Sequence, residues 1–108
     1  MKLIFAIVHN DDAPIVTSEL NMAGFHSTKI ASTGGFLSSG NTTFITGVED
    51  NQVDDVINLI AENCKVRTQH IPVNIYPTLN AAAAGATVQI QTGGATIFVL
   101  NVENFVQV

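Results

Sequence analysis

The stretch TGGFLSSGNTTF, Thr33 to Phe44, gathers the residue types that hold an anion without cationic side chains. Gly34, Gly35 and Gly40 permit positive φ and close approach of backbone to a ligand. Backbone N–H groups and the hydroxyls of Thr28, Ser32, Thr33, Ser38, Ser39, Thr42 and Thr43 can donate to phosphate oxygens. The spacing matches neither a Walker loop nor a dinucleotide-binding fingerprint, and on spacing alone a Gly-Gly hairpin turn is the better reading. Gly93-Gly94 in QTGGATIF reads more simply still, as a strand-to-strand turn.

Other reactive types are sparse. His9, His26 and His70 show no i, i+4 pairing, so metal-ligand spacing is absent and each reads as structural or surface-exposed. Cys64, the only cysteine, lies on an apolar stripe and reads as a small buried hydrophobe; no intrachain disulfide can form. Asp54 and Asp55 fall among the polar positions of a helix, as on a solvated face. No catalytic residue, metal or cofactor is expected, and the chain reads as a non-enzyme.

These residues must be positioned by a single domain of 108 residues, 46% hydrophobic, with no room for a second. Leu3 to Val8 is a continuous apolar run expected of a central strand. Asp11 and Asp12 before Ala13-Pro14 predict N-cap oxygens and a helix from about Ala13 to Ala23, with Ile15, Val16, Leu20 and Ala23 inward and Gly24 as the left-handed C′ residue. Phe25 to Thr33 and Thr42 to Val48 predict two strands joined by the glycine-rich loop. Asp50 is expected to cap a second helix whose Val53, Val56, Ile57, Ile60, Ala61 and Cys64 form one stripe. Ala95 to Val102 supplies a last strand. The order βαββαβ is the ferredoxin-like, split-βαβ arrangement, an α+β fold.

Between the second helix and the last strand lies an excursion, Val66 to Gly94, with β-prone pieces at Val66 to Ile75 and Ala86 to Thr92 and an alanine-rich tip at Asn80 to Gly85. An insertion of this length in a small domain is more often functional or disordered than idle. Two helices cover only one face of a four-stranded sheet, so the other face needs a cover, and self-association supplies one.

Nine acidic residues against four basic ones give a formal charge of −5. No basic stripe exists for counterion release, so long nucleic acid is not expected as a partner. The longest apolar run is too short for a membrane span or signal peptide, and a cytoplasmic location is expected.

KLIFAIV near the start, TKIASTGGFLSSGNTTFITGVED from Thr28 to Asp50, and GGATIFVLNVENF from Gly93 to Phe105 resemble the PII-like family of cyclic di-AMP receptors, the PstA (DarA) proteins, related in architecture to the PII nitrogen regulatory proteins. The resemblance covers nearly the whole chain and is loosest over Val66 to Gly85. It implies a homotrimer of ferredoxin-like subunits with nucleotide sites in the clefts between them, no catalysis, mobile loops and a downstream protein partner of unknown identity. Gly35, Phe36 and Leu37 would offer backbone donors and an apolar surface to adenine, Asn41 an amide to the base edge, and Gly47 room for the ligand. Thr28 and the backbone around Ser27 would hold a phosphate, with Phe98 and Gln107 closing the site. Many relatives carry asparagine and arginine where this chain has Gly24 and His26, and a basic residue at Ser38. Arginine is a permanent forked phosphate donor, whereas histidine is only partly charged at neutral pH. One lost charge-assisted hydrogen bond costs about 1.5 to 3 kcal/mol, roughly one to two decades in affinity, so weakened or altered binding is expected. The alternative is a PII-like trimeric scaffold that has lost the nucleotide and docks a partner through the excursion.

Overall fold

The computed structural model describes residues 1–32, 40–72 and 87–108. Six strands and two helices follow in the order β1 (Lys2–His9), α1 (Ala13–Met22), β2 (Ser27–Ser32), β3 (Asn41–Val48), α2 (Val53–Asn63), β4 (Arg67–Pro72), β5 (Thr87–Thr92) and β6 (Ala95–Asn101). The main sheet runs β2-β3-β1-β6, with every neighbouring pair antiparallel. Placing β3 between β1 and β2 is consistent with the ferredoxin-like fold. The excursion forms its own two-stranded antiparallel ribbon, Arg67 opposite Thr92 and Pro72 opposite Thr87. The alanine-rich tip lies outside the described residues.

Alternation along β1 divides the sheet into two unlike faces. Ile4, Ala6 and Val8 are buried with Phe44 and Val48 of β3 against Val16 and Leu20 of α1 and Val56, Ile60 and Cys64 at α2. A side chain of this size contributes about 1.5 to 3 kcal/mol when fully buried. The intervening residues face away from the helices. Thr28, Ile45, Phe5 and Phe98 form one row across all four strands, and Gly47, Leu3 and Leu100 form the next. Phe98 is 55% exposed, Leu100 46% and Ile30 51%, so this second face is apolar and only partly covered.

The helix ends depart from expectation. Asp12 does precede α1, but its φ of −94° and ψ of −12° are helical and its carboxylate makes no capping bond. It accepts instead from the Arg67 guanidinium, at 2.7 Å to Nη2 and 3.3 Å to Nη1. A 3₁₀ turn at Asn10–Asp12 intervenes, and His9 Nδ1 accepts from the Asp11 N–H at 3.4 Å. Likewise Glu49, not Asp50, caps the turn leading into α2: its extended backbone allows a reciprocal capping box with Gln52. Asp50 pairs with the Met1 amine at 3.2 Å. On α1, Ala13, Val16 and Leu20 face the core while Ile15, rotated one position from Val16, is 47% exposed; Ala23 is also exposed. Gly24 has φ 85° as expected, and Phe25 N–H to Leu20 O (2.9 Å) with Gly24 N–H to Asn21 O (3.1 Å) completes a Schellman ending.

Candidate functional site

A cavity of about 560 Å³ opens at one end of the partly covered face. Strand β2 delivers Thr28 to it and the residues just before, His26 and Ser27. Ile45 and Gly47 of β3 and Leu3 of β1 form its floor, and the chain after β6 folds over to add Val102, Asn104, Phe105 and Gln107. Val102 N–H donates to Met1 O at 3.2 Å, which fixes where that terminal segment begins.

Five of the expected site residues therefore converge: His26, Ser27, Thr28, Gly47 and Gln107. Asn41 does not join them. It begins β3 opposite His9, six positions from Gly47 (47 − 41), which is about 20 Å along a strand. There it lines a second cavity of about 380 Å³ with His9, Gly93, Gly94 and Thr96. Phe98 sits mid-sheet beside Phe5 and lines neither cavity. Gly35, Phe36 and Leu37, with the rest of 33–39, lie outside the described residues.

The cavity also recruits residues not singled out from the sequence, notably Leu3, Ile45, Asn104 and Phe105. Leu3 and Ile45 were findable from strand alternation, because they occupy the odd face that no helix covers. Asn104 and Phe105 carried no signal beyond their place in the last quoted motif.

Gly47 is the most informative member of the wall. It is exposed, its φ is ordinary, and a Cβ built on it meets nothing within 4 Å. Glycine inside a strand costs about 0.5 to 1 kcal/mol relative to alanine, and nothing among the described residues requires it here. Glycine at such a strand position leaves room for a ligand or another backbone to approach closely.

The base of the ribbon is held by a separate cluster. Asp12 is 4% exposed, and its bond holds the Arg67 guanidinium still further above its ordinary range. Arg67 Nη1 also donates to Lys65 O at 3.2 Å, and Gly94 N–H donates to Cys64 O. Burial, reinforced by Asp12 and opposed by Arg67, pushes the Cys64 thiol up to about 11, which makes it inert as a nucleophile near neutrality. Asp54 and Asp55 are exposed. Among the described residues no group of three or more His, Cys, Asp or Glu is placed to hold a metal, and no helix is long and apolar enough to cross a membrane.

Against known proteins, a family described as cyclic-di-AMP receptor matches residues 1–108. Among solved structures, the crystal structure of a functionally unknown protein from Pediococcus pentosaceus ATCC 25745 is 33% identical, with a TM-score of 0.76 over 99% of this chain and 96% of that one.

Proposed function

Because the chain belongs to the cyclic-di-AMP receptor family, we propose that it is a non-enzymatic signalling receptor for cyclic di-AMP or a related adenine nucleotide. In this reading the ligand sits in clefts between subunits of a homotrimer, and its binding is transmitted by ordering of the loops to a downstream protein. The observation that carries the reading is the convergence of His26, Ser27, Thr28, Gly47 and Gln107, from three separate parts of the chain, on one cavity. Leu3, Ile45 and Phe105 supply an apolar wall, and Thr28, Asn104 and Gln107 supply directed polar groups, the combination that orients a purine.

Asn41 favours a site shared between copies. At about 20 Å from Gly47 it does not serve the same cavity within one chain. A neighbouring copy packed on the open face would bring its own Asn41 and 35–37 segment to the cavity. Exposed Ile30, Phe98 and Leu100 provide the apolar surface for that packing.

Isothermal titration calorimetry with cyclic di-AMP, with cyclic di-GMP and ATP as controls, tests the proposal together with light scattering. Selective binding near one ligand per subunit in a particle of three chains is expected. A monomer without selectivity would overturn it. A stable trimer silent toward all three nucleotides would favour a scaffold that has lost the ligand, an alternative supported by the lack of any lysine or arginine among the cavity residues.

A further inference from the structure

Every charged side chain of this protein can be placed, because 33–39 and 73–86 contain no Asp, Glu, Lys, Arg or His. Arg67 is engaged by Asp12 and Lys65 O. Lys2 donates to Asn101. Lys29 stands beside Phe44 on the helix-covered side of the sheet, and Lys65 lies at the junction of α2 and β4. None of the four lines the cavity. Its wall offers His26 and otherwise neutral donors, while the Met1 amine at its edge is paired with Asp50. Glu103 lies between the cavity residues Val102 and Asn104.

We propose that this cavity selects its nucleotide by phosphate class, accepting phosphodiesters and rejecting terminal phosphomonoesters. The inference rests on the receptor reading above and names the regulation of that same site. A diester phosphate carries one negative charge, whereas a monoester carries about 1.5 to 2 near pH 7. Hydrolytic opening of a cyclic dinucleotide adds one water: one P–O ester bond breaks, the departing oxygen takes a proton to become a hydroxyl, and the phosphorus becomes a terminal monoester. The opened product thus carries about 0.5 to 1 more negative charge than the ring. In a protein of formal charge −5, with no lysine or arginine among the residues this chain brings to the wall, that charge is repelled. The site holds the intact ring and releases the product of a ring-opening phosphodiesterase reaction.

The test compares three ligands by calorimetry: cyclic di-AMP, the linear dinucleotide with a 5′-phosphate, and the same linear dinucleotide with that phosphate capped as a methyl ester. Capping changes the charge and leaves the linear backbone, so ring preorganisation is held constant. Capping is expected to tighten binding by roughly three- to tenfold at low salt, with the gap closing as salt is raised from about 0.05 to 0.5 M. His26→Arg is expected to narrow the gap by supplying a permanent charge. Equal affinities for capped and uncapped forms, or a gap that persists at high salt, would overturn the inference while leaving the receptor reading intact. Absence of binding by all three ligands would overturn the receptor reading and this inference with it.

Discussion

Replacing Gly47 by valine separates a glycine kept for the fold from one kept for an external body. On the chain itself the new side chain has open space, since an ideal Cβ meets nothing within 4 Å and the backbone φ is one that any residue adopts. Its cross-strand neighbour is Leu3, which offers an apolar partner. Strand propensity and the lost entropy of glycine then favour Gly47→Val by about 0.5 to 1 kcal/mol. For a domain of 108 residues this raises the melting temperature by roughly 2 to 8 °C.

The same substitution adds three carbons to the wall of the 560 Å³ cavity. Overfilling a fitted space costs about 1 to 3 kcal/mol, so cyclic di-AMP should bind Gly47→Val about 5- to 150-fold more weakly. The assay pairs ligand-free thermal unfolding with calorimetric titration, and light scattering checks that assembly is unchanged. A variant that binds within twofold of the parent would remove this cavity from the binding site. A ligand-free variant destabilised by more than about 1 kcal/mol would show that the glycine serves packing instead.

Arg67→Met leaves the Asp12 carboxylate buried without its guanidinium, and a loss of about 3 kcal/mol is expected in urea unfolding, largely restored in the Asp12→Asn/Arg67→Met double variant; a loss under 1 kcal/mol would refute a stabilising role for this ion pair. The Cys64 thiol, raised from about 9 to about 11, stabilises the fold in its neutral form. That contribution is complete below about pH 9 and is lost as pH rises toward 11, up to roughly 3 kcal/mol, read as the difference between the parent and Cys64→Ala over this range. Gly93→Ala and Gly24→Ala both enter the left-handed region at φ 86° and 85°, but only the Cβ at position 93 collides, with Lys65 O and at 2.8 Å with Arg67 Nη1. Gly24→Ala should therefore cost about 1 kcal/mol and Gly93→Ala at least twice that in the same unfolding assay; equal costs would contradict the steric reading.

The strands at Leu3 to Val8 and Ile97 to Leu100 were legible because apolar runs of that length leave few alternatives, and α2 because Val56, Ile60 and Cys64 keep helical period. The caps were not. Asp12 carries a capping residue type, yet its carboxylate is claimed by Arg67, 55 positions away, a competition no local window contains. Asp50 lost its expected cap to Glu49 because capping is decided by which residue is extended, a property of the backbone path. Ile15 and Val16 are equally apolar neighbours, and only the docked position of α1 selects Val16. At the site, His26 and Gly47 came from family resemblance, and Thr28 from its hydroxyl as well as that resemblance, since no periodicity links positions on two strands and a loop. Asn41 shared that resemblance and landed at the other end of β3, where strand register and not motif proximity fixes its place.

That displacement is informative about how such a protein is built. Among the described residues, a sheet with helices on one side leaves Phe98, Leu100 and Ile30 without a partner layer, and the cavity opens at one end of that same face. In the proposed trimer, a single set of strand registers would then specify both the surface that joins copies and the floor on which the ligand lies. Gly47 sits in the row of Leu3 and Leu100, one row from Phe98, so assembly and recognition would meet at adjacent rows of one sheet. Ligand held between copies stabilises the assembled state by mass action, about 2.7 kcal/mol at one hundred times its dissociation constant. In that trimer no long-range conformational relay would be needed for binding to be felt at the interface, because the cavity wall and the proposed interface would share strands.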